Sequence, residues 1–286
     1  MLWRRPALNL AIALAIAAAV PLLPPGGGGT AAQSTSDGDE RARAIIRQAL
    51  ERAIVNEQAN FSARYQSMMT KEVRRFDGDG NVRTHDVGDY EVIPIDGVPF
   101  ERRLTIHGRP LNDVERGWED EREAEFREEL RRLREGEEEP EEDEEAIVFN
   151  EELIARYDFT LEAEEPFRDR PSYRIAFEPR PGSLPVRRRI DYALNAARGR
   201  AWIDRETHEA ARVEFELIDR VRLWWGVLGT ISHARGSLDR GPVLDGGIWG
   251  RLQSESYSDV RVLFSRTRRS EFRQWRDFAF VDDGAQ

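Results

Sequence analysis

The feature that most constrains this chain is a side-chain alternation of period two that recurs along most of its length. Phe61, Ala63, Tyr65, Met69 and Val73 fall on alternate positions, as do Phe100, Leu104 and Ile106, then Tyr157, Phe159 and Leu161, then Tyr173, Ile175 and Phe177, and later Ala211, Val213, Phe215 and Leu217. Successive side chains on a strand point to opposite faces, so each run offers one apolar face and one polar face. Turn-forming stretches separate the runs: "DGDGN" (Asp77 to Asn81), "DGVP" (Asp96 to Pro99), "HGRP" (His107 to Pro110) and the glycines at 236, 241, 246 and 247. Ten or more antiparallel strands follow from this pattern. The pattern leads one to expect an α+β chain, mainly β, with a single curved antiparallel sheet or barrel rather than a parallel α/β fold.

Helical spacing is confined to a few places. Ile45, Ile46, Ala49, Leu50, Ala53 and Ile54 recur at steps of three and four between Asp37 and Gln58. Asn112 followed by Glu115 predicts a capped helix start, and Val114, Trp118, Phe126, Leu130 and Leu133 then make a narrow stripe on a charged rod. Shorter helices are expected at Phe149 to Arg156 and at Ile190 to Ala197.

Two near-motifs need a decision. "HEAAR", His208 to Arg212, is one residue short of the H-E-x-x-H zinc signature, but Arg212 stands where the second histidine would be and the following residues alternate as a strand. The pattern predicts a turn entering a strand. "DGDGN" spells the first ligands of a calcium loop, but Val82 replaces the required glycine and Gly88 the bidentate glutamate, so a hairpin turn is expected. With no cysteine, four isolated histidines (His85, His107, His208, His233), no G-x-S-x-G elbow and one lysine, Lys71, no catalytic residue can be nominated. The chain is expected to be non-catalytic, with no cofactor and no metal; an unrecognised hydrolase is the least favoured reading.

The opening residues read as an export signal. Arg4 and Arg5 precede an apolar run from Ala7 to Leu23, and Pro24, Pro25, four glycines and Thr30-Ala31-Ala32 follow. Residues 1–32 are therefore expected to be a signal peptide and 33–286 one domain, periplasmic and without a lipid-attachment cysteine. A charged helical and acidic insertion is expected at about 112–147. Eighteen acids and six arginines lie between Asp113 and Glu145, a net of −12 against −11 for the whole chain, so the remainder is close to neutral. An acidic balance of this kind speaks against a nucleic-acid partner. The run Glu135 to Glu145 is self-repelling and expected to be solvated.

The order of parts, with "IHGRPL" (Ile106 to Leu111) before the helical insertion, "GRAWID" (Gly199 to Asp204) leading into "ARVEFEL" (Ala211 to Leu217), "GGIWGRLQSES" (Gly246 to Ser256) and "EFRQWRDF" (Glu271 to Phe278), resembles the LolA/LolB-like lipoprotein-carrier superfamily and its outer-membrane lipoprotein-sorting relatives. The resemblance implies a single strongly curved antiparallel sheet, an incomplete barrel, with helices covering its concave face as the lid of an acyl-binding cavity. The partners it implies are a lipid or acylated protein, together with a membrane or envelope protein.

Enclosing an acyl chain requires an apolar wall, since each exposed methylene costs about 0.8 kcal/mol. The candidate wall residues are Phe61, Tyr65, Leu104, Ile106, Phe159, Trp202, Phe215, Leu217, Trp249 and Phe264, with Trp118 and Phe126 from the covering helix. The same alternation would equally fill an ordinary core. Trp224 and Trp225 are neighbours, so on a strand one of them must leave the core side. The alternative to a carrier is a non-catalytic envelope interaction protein with a filled core and the acidic segment as its contact arm.

Overall fold

The structure, a computed structural model, describes residues 32–137, 150–182, 184–223, 229–245, 247–262 and 265–281. The expected leader, most of the acidic run, Trp224, Trp225 and Phe264 lie outside these residues. Helix α1 (Ala32–Gln58) passes through a short 3-10 turn (Phe61–Arg64) into β1 (Tyr65–Phe76), β2 (Val82–Ile95), β3 (Val98–Arg103), β4 (Thr105–Ile106) and β5 (Arg109–Pro110). Then come α2 (Asp113–Arg134), α3 (Glu151–Ala155), β6 (Tyr157–Phe167), β7 (Arg170–Pro179) and α4 (Arg189–Leu194). The chain continues with β8 (Ala197–Asp204), β9 (Ala210–Leu217), β10 (Val221–Leu223), β11 (Gly229–Leu244), β12 (Ile248–Val262) and β13 (Ser265–Phe280).

Among the described residues, eleven strands form one sheet in the order β3-β2-β1-β13-β12-β11-β9-β8-β7-β6, with β10 also on β11. Every pairing in it is antiparallel. The end strands β3 and β6 do not pair with each other, so the barrel is incomplete, as the resemblance implies. Extra residues interrupt the register in β13, β6 and β11, and such bulges bend a sheet locally.

Local chemistry sets the boundaries. At the β1–β2 turn the Asp77 carboxylate accepts from the backbone N–H of Asp79 and of Asn81, and Gly80 takes φ 94°, so "DGDGN" is a hairpin turn. Asn112 caps α2 through the Glu115 N–H at 2.9 Å while Glu115 reaches back to the Asn112 N–H, the box that the sequence predicts. Helix α4 is shorter than expected, because Ala197 already pairs with Leu217 in the next strand.

Helix α2 does not join α1 over the sheet. It runs along the edge strand β3, where Glu119 accepts the Arg103 backbone N–H at 3.0 Å and Arg122 donates to the Glu101 carbonyl. These side chains satisfy backbone groups that a bare edge would offer to another chain. Phe126 packs against Phe100, with ring centroids 5.2 Å apart, and Arg102 pairs with Glu123.

Candidate functional site

Register fixes which side chains share a face. One row runs Leu161–Ile175–Ala201–Val213–Leu238–Ser254–Arg273–Lys71, and the next runs Phe159–Phe177–Gly199–Phe215–Gly236–Ser256–Glu271–Val73. Both rows start apolar at β6 and turn polar at β12. The apolar part lies under α1, whose Ala42, Ile45 and Leu50 are buried with Tyr157, Phe159, Ile175, Ala201 and Ile203. Ile175 and Ala42 are 0% exposed and Ile203 1%, so with α1 seated this interior is filled. Gly199 is required there: a Cβ at this position would stand 1.8 Å from the Glu214 carbonyl oxygen.

A charged clamp holds the far end of α1. Glu209, 2% exposed, takes Arg52 Nε at 2.9 Å and Asn56 Nδ2 at 2.6 Å on one oxygen, both from α1, and Arg240 of β11 at 2.8 Å on the other. Glu209 is the glutamate of "HEAAR". His208 sits before it at φ 57° in a turn organised by Asp204, which accepts from the Thr207 N–H at 2.8 Å. The near-motif is thus a turn entering β9, as its alternation predicts. Its acid ties a helix to the sheet. Among the described residues no group of three His, Cys, Asp or Glu is placed to hold a metal ion.

Where α1 no longer covers the face, the strands bury charges. Glu101 receives Lys71 at 3.1 Å and Arg273 at 2.8 Å, and Arg273 also reaches Glu271 at 2.5 Å. Arg273 and Glu271 are each 5% exposed. Burial pushes the Glu271 carboxyl up, but Arg273, then Arg269 and Lys71, outweigh it and hold the pKa below the ordinary carboxylate range. Burial, with Asp86, Glu101 and Glu119 nearby, pushes the Tyr90 hydroxyl up to about 12 against the pull of Arg103. This is a pinned ionic network, unsuited to an acyl chain.

The twelve candidate wall residues do not form one wall. Phe159 lies under α1, while Phe215 and Leu217 pack on a second cluster formed by Ile190, Leu194, Val221, Ile231 and Ala234. Trp249 is buried, with the Arg170 guanidinium 5.6 Å from its ring. Tyr65 meets Phe278 edge-on at 5.7 Å, and Phe61 lies in the 3-10 turn beside Arg64 at 5.2 Å. Leu104 and Ile106 are half-buried beside the β4–β5 ribbon. Phe126 belongs to the α2–β3 contact, Trp118 is 64% exposed, and Phe264 is outside the described residues.

Trp202 is on the opposite face of the sheet, where its Nε1 donates to Glu165 at 3.1 Å and Arg212 covers its ring at 5.7 Å. Its neighbours Ala201 and Ile203 take the covered side, and alternation then forces the indole outward. Around it the outer face is a lattice of ion pairs, including Arg198–Glu216 at 2.7 Å and Arg212–Asp239 at 2.8 Å. Glu209, Arg52, Glu271 and Arg273 were not among the candidates. The last two lie in "EFRQWRDF", which was singled out only for its likeness to a family segment.

No family model matches the sequence, and no curated protein matches it. Solved structures do. An outer membrane lipoprotein-sorting protein domain from Vibrio parahaemolyticus is 11% identical, over 84% of this chain and 95% of that one, with a TM-score of 0.34. A LolA superfamily protein from Nitrosomonas europaea is 10% identical over 84% and 94%, TM-score 0.31, and a DUF1329 family protein from Desulfovibrio piger 12% over 85% and 95%, TM-score 0.29. At 10–12% identity and TM-scores of 0.29–0.34 these are partial likenesses to LolA-superfamily, lipoprotein-sorting and DUF1329 structures.

Proposed function

We propose that the protein is an exported, non-catalytic carrier or binder of a lipid or of a protein's acyl chain in the bacterial cell envelope, with the face under α1 as the acyl site. The observation that supports this is the construction of that face. A continuous apolar wall is covered by one separable helix, which the Glu209 clamp fastens through side chains. With α1 seated there is no room for a ligand, so uptake lifts the helix. Of its covering aliphatics Ile45 and Leu50 are buried and Ile46 and Ile54 partly so; full burial of such a side chain contributes about 1.5–3 kcal/mol, which makes about 6–12 kcal/mol an upper bound for the four. At about 0.8 kcal/mol per methylene, a ligand must bring on the order of ten methylenes to offset them. Long acyl chains qualify and short ones do not.

The test is native mass spectrometry of protein purified from a bacterial envelope, with titration of a fluorescent long-chain fatty acid. Co-purifying lipid, or saturable probe binding that becomes faster in Arg52→Ala, is the expected result. A ligand-free mass with no probe binding in either form overturns the acyl site. The filled interior, with Ile175 and Ala42 wholly buried, would then favour the second reading, an envelope interaction protein without a cavity.

A further inference from the structure

The outer face of the sheet, away from α1, carries a cavity of about 460 Å³ across β1, β13, β12 and β11. That is within the range of small-molecule sites, roughly 300–1,000 Å³. Phe76, Tyr257 and Phe272 supply aromatic surface, the first two edge-on at 6.3 Å. Two charges in its lining have no counter-charge among the described residues. Arg235 stands opposite Glu216 in the β11–β9 register, but Glu216 is taken by Arg198 at 2.7 Å. The Arg235 guanidinium lies instead over the Tyr257 ring, 5.2 Å from its centre. Glu255 is the direct neighbour of Phe272 across β12 and β13, and its only hydrogen bond among the described residues is from Gln253 at 3.3 Å.

Nearby groups behave differently. Glu72 takes Arg74 and His85, and Asp259 takes Arg266 and Arg268. Beside these paired groups, a cation and an anion without a counter-charge among the described residues are thus left in one aromatic cavity. Each is placed for a ligand group of opposite sign. Arg235 and Glu255 occupy diagonal positions on adjacent strands, with Cβ atoms about 7–8 Å apart, so a single ligand that carries both charges can reach the two side chains.

We propose that this cavity binds a zwitterionic phosphate ester of the phosphocholine or phosphoethanolamine type, its phosphate on Arg235 and its ammonium over Phe272 beside Glu255. The guanidinium fork matches phosphate oxygens, and an ammonium is attracted both to an aromatic face and to a carboxylate. The ester is either free in solution or the head group of a zwitterionic lipid. The site involves no residue of α1 and stands independently of the acyl site.

The full domain is titrated with phosphocholine and with phosphoethanolamine by calorimetry, and floated with phosphatidylcholine, phosphatidylethanolamine or phosphatidylglycerol vesicles. Saturable binding to a soluble ester, or to zwitterionic but not phosphatidylglycerol vesicles, is expected; the first points to the free ester and the second to the head group. Arg235→Gln and Glu255→Gln should each weaken it at least tenfold with melting temperature unchanged, and Tyr257→Phe should leave it intact. The proposal is overturned by no binding in either arm, by binding that survives both charge substitutions, or by choline and inorganic phosphate each binding as tightly as the ester.

Discussion

The two halves of the covered face solve the same problem with opposite chemistry. From Leu161 through Ile175 and Ala201 to Val213 the row is aliphatic and lies beneath α1; from Ser254 to Arg273 and Lys71 the same row, on the same side, holds charges. Where a helix supplies apolar surface, burial favours aliphatic side chains. Where none is supplied, the strands satisfy their own interior by pairing Glu101 and Glu271 with Lys71 and Arg273. One half depends on a partner element, and the other is self-sufficient but intolerant of losing a partner.

The largest effect should come from breaking the ionic half. Glu271→Ala leaves the buried Arg273 with Glu101 alone and takes the carboxylate from Arg269, and is expected to cost about 3–5 kcal/mol, read as a fall in the denaturant midpoint. The double change Glu271→Leu with Arg273→Met should recover most of that loss; a single variant costing under about 1 kcal/mol would mean that the network is not buried. In the aliphatic half, Ile175→Ala removes a fully buried side chain, and a cost of about 2–5 kcal/mol is expected from the same measurement. A near-neutral result there would show that α1 does not seal the row.

Smaller effects sharpen the contrast. Gly199→Ala drives a methyl into the Glu214 carbonyl and is expected to cost about 1–3 kcal/mol; an unchanged melting temperature would show that β8 and β9 lie further apart than described. Acidification separates the halves by sign. The folded Glu271 pKa lies below the unfolded value of about 4.3, so its contribution is present above that pH and disappears as pH falls through the folded pKa. The penalty of Glu271→Ala should therefore shrink on going from neutral pH to strongly acid pH while that of Ile175→Ala persists, and parallel pH curves would contradict the division. Trp118→Ser, at a side chain 64% exposed, should change stability by no more than about 0.5 kcal/mol.

What could be read in advance follows from which forces are local. Period two marked the strands, and turn chemistry placed the Asp77–Asn81 hairpin and the Asn112 cap, because each is settled by a few neighbouring residues. Which of two flanking side chains faces inward was not settled in this way. In Ala201-Trp202-Ile203 the largest residue faces outward, since register with β7 and β9 assigns the phase. The Glu209 clamp was hidden for the same reason. Its partners Arg52 and Arg240 stand far away in sequence, and a lone glutamate among many carries no mark of burial.

The pairing of β1 with β13, Tyr65 opposite Phe280, joins strands separated by most of the domain. Until β13 has been made, β1 has a neighbour on one side only and the aromatic and aliphatic residues of the early hairpins have nothing to close against. Assembly of such a high-contact-order sheet is slow, and its incomplete forms are prone to stick to one another. The chain therefore needs to be delivered whole before it can settle, and a shortened version lacking the last strand should be recovered as aggregate rather than as a smaller folded protein.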